Sequence, residues 1–114
     1  MSFITNYPTL TGLAPVFQWA EVGNVADDII VLKYGKNPDP DFVPDELDFS
    51  VDGTLETITN VDIVGDTIRL TMSDSLLSTD DLTVSYIKGT NPIQDTSGHE
   101  SLDLTDREVI NNIE

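Results

Sequence analysis

The side chains of this chain with chemistry to offer are carboxylates and one imidazole. His99 is the sole histidine, and it sits in the run Asp95-Thr96-Ser97-Gly98-His99-Glu100. A general acid or base needs a partner that orients it and a reacting group within reach. The chain has no cysteine, no G-x-S-x-G elbow, no phosphate-cradling glycine loop and no H-E-x-x-H. With 21 acidic residues among 114, neighbouring carboxylates arise by chance, so no glycosidase-type pair is assigned. His99 reads as an exposed turn residue, and the sequence points to a protein that is not an enzyme.

Metal binding is the other chemistry that carboxylates allow. Gly35–Asp48 (GKNPDPDFVPDELD) gathers Asp39, Asp41, Asp45, Glu46 and Asp48. Ca²⁺ takes about six to eight oxygen ligands, which such a stretch can supply. The spacing nevertheless matches no ordered D-x-D-x-D-G loop with a distal Glu. A solvated loop is the simpler reading, with Ca²⁺ held by Asp45 and Asp48 as the sharper one. Asp95 has a similar pair of readings. Its carboxylate can accept the N–H two residues on, with Gly98 in the left-handed conformation, or it can hold Ca²⁺ together with loop carbonyls. Asp95, Asp45 and Asp48 are therefore the candidate metal ligands, and no other cofactor is expected.

These loops hang on β-strands. Val84 and Tyr86 alternate with Thr83 and Ser85 after Leu82, a period of two. Ile29-Ile30-Val31-Leu32 and Tyr34 form a near-continuous apolar strand, as expected for burial on both faces or for a partner on one. Phe49–Gly53 is a short strand ending in an Asp-Gly turn. Val61 and Ile63 alternate up to Gly65-Asp66, and Ile68, Leu70 and Met72 alternate after it, which suits a type II′ hairpin. Ile58 is out of step with Val61, so a bulge is expected near Thr59-Asn60. Thr9–Val22 reads as a broken first strand, interrupted by Gly12 and Pro15. Pro44–Leu47 suits one turn of helix. Asp74–Asp81 is a polar connection with Leu76 and Leu77 turned inward. Leu102, Leu104, Val109 and Ile110 mark a last strand. About seven or eight strands at this spacing predict an all-β, immunoglobulin-like antiparallel β-sandwich spanning residues 9–114, preceded by an arm at residues 1–8.

The closing run VSYIKGTNPIQDTSGHESLDLTDREVINN carries a family likeness through Val84, Ser85, Tyr86, Gly89, Thr90, Asn91, Pro92, Ile93, Gln94, Asp95, Gly98, Val109, Asn111 and Asn112. It resembles the last strands of bacterial immunoglobulin-like repeat domains of very large surface proteins, including the cyanobacterial swimming-motility type. It departs at His99, where the family has Asn. The resemblance extends over residues 29–112 and implies an immunoglobulin-like sandwich. It also implies a module of a bacterial surface or adhesion protein, stabilised by Ca²⁺.

Composition narrows the partners. The formal charge of −16, from 21 acidic and 5 basic residues, opposes nucleic acid and anionic membrane surfaces. No stretch reaches the roughly 18–20 apolar residues of a membrane helix, and the start MSFITNYP lacks the pattern of a signal peptide. A chain of one-domain length beginning at Met1 reads as a complete small gene product. Phe3, Ile4 and Tyr7 of the arm, together with Trp19, are candidate interface residues, although core packing is the commoner use of a lone tryptophan. The function expected from these features is a structural subunit at a virion surface. It would be a phage decoration or cement protein, or a minor tail component, bound in many copies to major capsid or other virion subunits. A Ca²⁺-stabilised module at a bacterial cell surface is the alternative.

Overall fold

The computed structural model describes residues 14–114. It is all-β. Its strands are β1 (Phe17–Val22), β2 (Ile29–Tyr34), β3 (Phe49–Asp52), β4 (Ile58–Val64), β5 (Thr67–Met72), β6 (Leu82–Tyr86) and β7 (Leu104–Asn111). They form one mixed sheet of seven strands in the order β3-β6-β7-β1-β2-β5-β4. Every ladder is antiparallel except β1 with β7, where Ala20, Glu21 and Val22 run beside Val109, Ile110 and Asn111 in parallel. The sheet curls until its edge strands β3 and β4 touch without forming a ladder, a shape close to a barrel.

The core follows from period-two alternation. Ala20 and Val22, Ile30, Leu32 and Tyr34, Ile68, Leu70 and Met72, and Leu82, Val84 and Tyr86 all point inward and are buried. Leu76 and Ile93 enter the same core from loops. Val31 is buried as well, on the opposite face, so Ile30–Leu32 is buried on both sides. The aromatic pairs Phe49–Tyr86 and Phe17–Tyr34 lie 5.0 and 5.9 Å apart, ring centre to ring centre.

The local signals for turns hold in detail. Gly65 has φ of 59° while Asp66 stays out of the positive region, as a type II′ hairpin requires. The β4–β5 register shifts between Ile58 and Asn60, the expected bulge. The short helical turn is a three-residue 3-10 turn at Glu46–Asp48.

Two side chains depart from expectation. Leu76 is buried, but Leu77 is 62% exposed, because adjacent residues in an extended connection face opposite ways. Trp19 is 41% exposed and does not pack in the core. The β1 register shifts between Phe17 and Trp19, which returns Phe17 to the core side and leaves Trp19 on the outer face.

Candidate functional site

All ladders but one are antiparallel, so the loops gather at two poles. At one pole the β2–β3 loop (residues 35–48) meets the β6–β7 loop (residues 87–103), and here the candidate residues lie. Asp95 is the centre. Its side chain is 4% exposed, and each of its carboxylate oxygens is already engaged. Oδ1 accepts the backbone N–H groups of Ser97 and His99, both at 2.9 Å. Oδ2 faces Lys36 Nζ at 2.7 Å and His99 Nδ1 at 2.9 Å. The Asp95 backbone carbonyl accepts from Gly98, whose φ of 87° is the left-handed geometry read from the sequence. Lys36, then burial acting in the opposite direction, then the His99 and Ser97 donors set the acidity of Asp95. The net effect holds its carboxyl well below the usual carboxylate range.

This arrangement ties together segments 59 residues apart in sequence. Asp39 reinforces it, its N–H donating to the Gln94 carbonyl at 2.6 Å and its own carboxylate accepting from the Asp41 N–H at 2.9 Å. Lys36 was missed as a functional residue. Its scarcity, as one of only five bases among 21 acids, is the sequence signal that marks it for a specific carboxylate.

The other two candidate metal ligands sit apart from this hub in role. Asp45 caps the 3-10 turn, accepting the Leu47 N–H at 2.9 Å. The Asp48 carboxylate lies against Gly89 so closely that a Cβ there would fall 2.4 Å from its Oδ1. Asp48 Oδ2 is buried without a hydrogen-bond partner, as are Tyr34 Oη and Arg69 Nε. Among the described residues no three His, Asp or Glu side chains converge as a cation centre would need. Asp95 in particular spends its oxygens on nitrogen donors. The residues present therefore do not fit a bound Ca²⁺ at Asp95.

His99 does touch an orienting carboxylate, yet among the described residues no nucleophile completes a triad with the pair: the hydroxyl of Ser101 is buried and donates to the Pro15 carbonyl. That bond helps to frame a slot of about 430 Å³ between the lead-in to β1 and the start of β7. Pro15, Val16 and Phe17 form one wall, and Leu102 and Leu104 form the other. Arg107 lies over the Phe17 ring, 5.6 Å from its centre, a cation–π contact. The slot lies where β1 has not yet joined β7: β1 pairs with β2 from Phe17 to Val22 but with β7 only from Ala20 onward.

Of the candidate interface residues, Trp19 lies on the outer face of β1 beside this split. Phe3, Ile4 and Tyr7 lie outside the described residues, as does the proposed arm at residues 1–8.

No family model matches the chain, and no curated protein matches it. Among solved structures, it is similar to the N-terminal part of the bacterial S-layer protein SbsC, with a TM-score of 0.66 and 20% identity. The likeness covers 90% of this chain and 24% of that one, so the chain spans about a quarter of the length of the structure it matches. At this identity the likeness concerns the fold.

Proposed function

We propose that this chain is a non-enzymatic structural module that works by packing against other protein subunits in an exposed, multicopy assembly, of which a bacterial surface layer is the favoured kind. The observation that carries this reading is the parallel pairing of β1 with β7. Because the first and last strands run the same way, the chain enters the described domain at one pole and leaves at the other. A module built so can be strung in series, each unit following the last. The fold likeness to part of an S-layer protein supports the same reading.

The architecture is read here as an immunoglobulin-like sandwich. The strand order separates into β1-β2-β5-β4 and β3-β6-β7, the two-layer division of a seven-strand immunoglobulin domain, with β1 shared between the layers. The family resemblance of the β6–β7 region agrees with it. The high negative charge keeps such modules apart except where specific contacts are made.

Immunogold labelling of producing cells, and of particles shed by them, tests the proposal. Label in a regular array on the cell envelope is the expected result, and label confined to the cell interior would overturn it. A virion decoration role would instead place the label on shed capsids.

A further inference from the structure

We infer that the groove between the β3–β4 loop (residues 53–57) and the β5–β6 loop (residues 73–81) docks an apolar segment bearing lysine or arginine, supplied by a different protein. The inference rests on the reading of this chain as a module that packs against other subunits, and it names the surface and the chemistry of one partner.

The groove lies at the pole where the described chain ends, opposite the pole that holds Ala14 and the Asp95 hub. It encloses about 590 Å³, and Leu55 and Leu77 stand in its lining, 98% and 62% exposed. Single leucines in solvent are ordinary on any surface. Two that line one concavity offer seats for a partner's apolar side chains. Glu56, Asp74 and Asp80 bring the only charges of the lining, and all three are carboxylates.

The two loops are fastened to each other and to β7. Thr57 donates its N–H to the Ser73 hydroxyl at 3.0 Å, and Ser73 returns its own N–H to the Thr57 carbonyl at 2.8 Å. The same hydroxyl donates to Glu56 Oε1 at 2.6 Å. Asn111 gives its side-chain amide to the Leu77 and Asp80 carbonyls, each at 2.9 Å. Asp80 Oδ2 accepts the Leu77 N–H, also at 2.9 Å. The groove is thus a set frame, and docking there costs little loop ordering.

Charge selects the occupant. The loops of this pole, residues 23–28, 53–57 and 73–81, carry Asp27, Asp28, Glu56, Asp74, Asp80 and Asp81 and none of the five bases. They repel a carboxylate-bearing partner and draw in a cationic one. A second copy is poorly equipped for that task. Its Lys33, Lys36 and Lys88 pair with Asp66, Asp95 and Glu100, and Arg107 lies over Phe17. Arg69 stands on β5, between β2 and β4, in register with Asp62. The occupant that fits is another protein, with an exposed segment that joins apolar side chains to lysine or arginine.

Fluorescence anisotropy tests this on the full chain, using a short labelled peptide of alternating leucine and lysine at low ionic strength. Saturable binding is expected. It is lost for a peptide with glutamate in place of lysine and weakened about tenfold or more with serine in place of leucine. Leu55→Ser with Leu77→Ser, and separately Asp74→Asn with Asp80→Asn, weaken it by about the same factor. The two amides keep an oxygen to accept the Ser75 and Leu77 N–H groups, so the loop retains its bonds. Asp62→Asn with Glu108→Gln removes the same charge away from the groove and changes binding by less than about twofold. Binding that is absent, that ignores the leucines, or that falls equally with the remote pair overturns the inference. Self-association abolished by Leu55→Ser with Leu77→Ser overturns it too, by making a second copy the occupant. A chain that fails here yet labels a cell-envelope array leaves the structural-module reading standing, with its contacts on another surface.

Discussion

The hydroxyl of Tyr86 accepts the backbone N–H of Ile93 across 2.9 Å, and both residues are fully buried. Tyr86 stands at the end of β6 and Ile93 lies in the loop that follows, so a single side chain anchors the loop to the core. Burial is the main cause that pushes the pKa of this hydroxyl up, so it stays protonated at any working pH. Tyr86→Phe removes the acceptor and leaves a buried N–H without a partner. The expected cost is about 1–3 kcal/mol, read as a lower urea midpoint at unchanged slope.

Asp95 gives the pH dependence a sign. Lys36 and the His99 and Ser97 donors hold its carboxyl below the usual range, so the unfolded chain takes up this proton before the folded one does. The stabilisation is therefore complete above the ordinary carboxylate pKa of about 3.9 and fades as pH falls from there toward the lower folded value. Asp95→Asn should lower Tm by several degrees at pH 7. The gap between variant and wild type should narrow as the melts are repeated below about pH 4. A gap that stays constant with pH would show that the hub acts through packing alone.

Two glycines with positive φ separate strain from steric exclusion. Gly65, at φ of 59°, has open space where a Cβ would go, so Gly65→Ala should cost only about 1 kcal/mol. At Gly53, φ is 100° and a Cβ would fall 2.0 Å from the Asp81 carbonyl oxygen. Gly53→Ala must displace backbone, and its effect in denaturant melts should be several times larger, up to loss of folding.

Calcium has a specific expectation. Since Asp95 is occupied by nitrogen donors and Asp45 by a turn N–H, millimolar Ca²⁺ should leave Tm within about 1 °C of the value in chelator, well inside the 4–8 °C that one kcal/mol would move a domain of similar size. A rise of several degrees that Asp48→Asn abolishes would assign the cation to the partnerless oxygen of that residue.

Local signals made much of the fold readable. The alternation of Ile68, Leu70 and Met72, the Gly65-Asp66 turn and the step at Ile58 each depend on residues within a few positions, and the structure follows them. The turn of Asp95 through Gly98 was legible for the same reason. What escaped depends on distant partners. Nothing near Lys36 says that its ammonium will meet a carboxylate 59 residues away. Whether Trp19 faces the core or the outside was not legible, because the register shift between Phe17 and Trp19 depends on the partner strand. Leu77 beside Leu76 shows that an apolar pair in a connection cannot both turn inward. The slot was illegible for a related reason: it arises where one strand parts from its neighbour.

The parallel ladder between β1 and β7 also determines how the molecule bears tension. A pull along the line from Pro15 to Asn112 slides these two strands past each other. The load falls on the Ala20–Val22 contacts, and on the bond from the Asn112 N–H to the Val22 carbonyl, all at once. Bonds stressed together yield at a higher force than bonds peeled one by one. The joint that orients the chain is thus also its mechanical clasp.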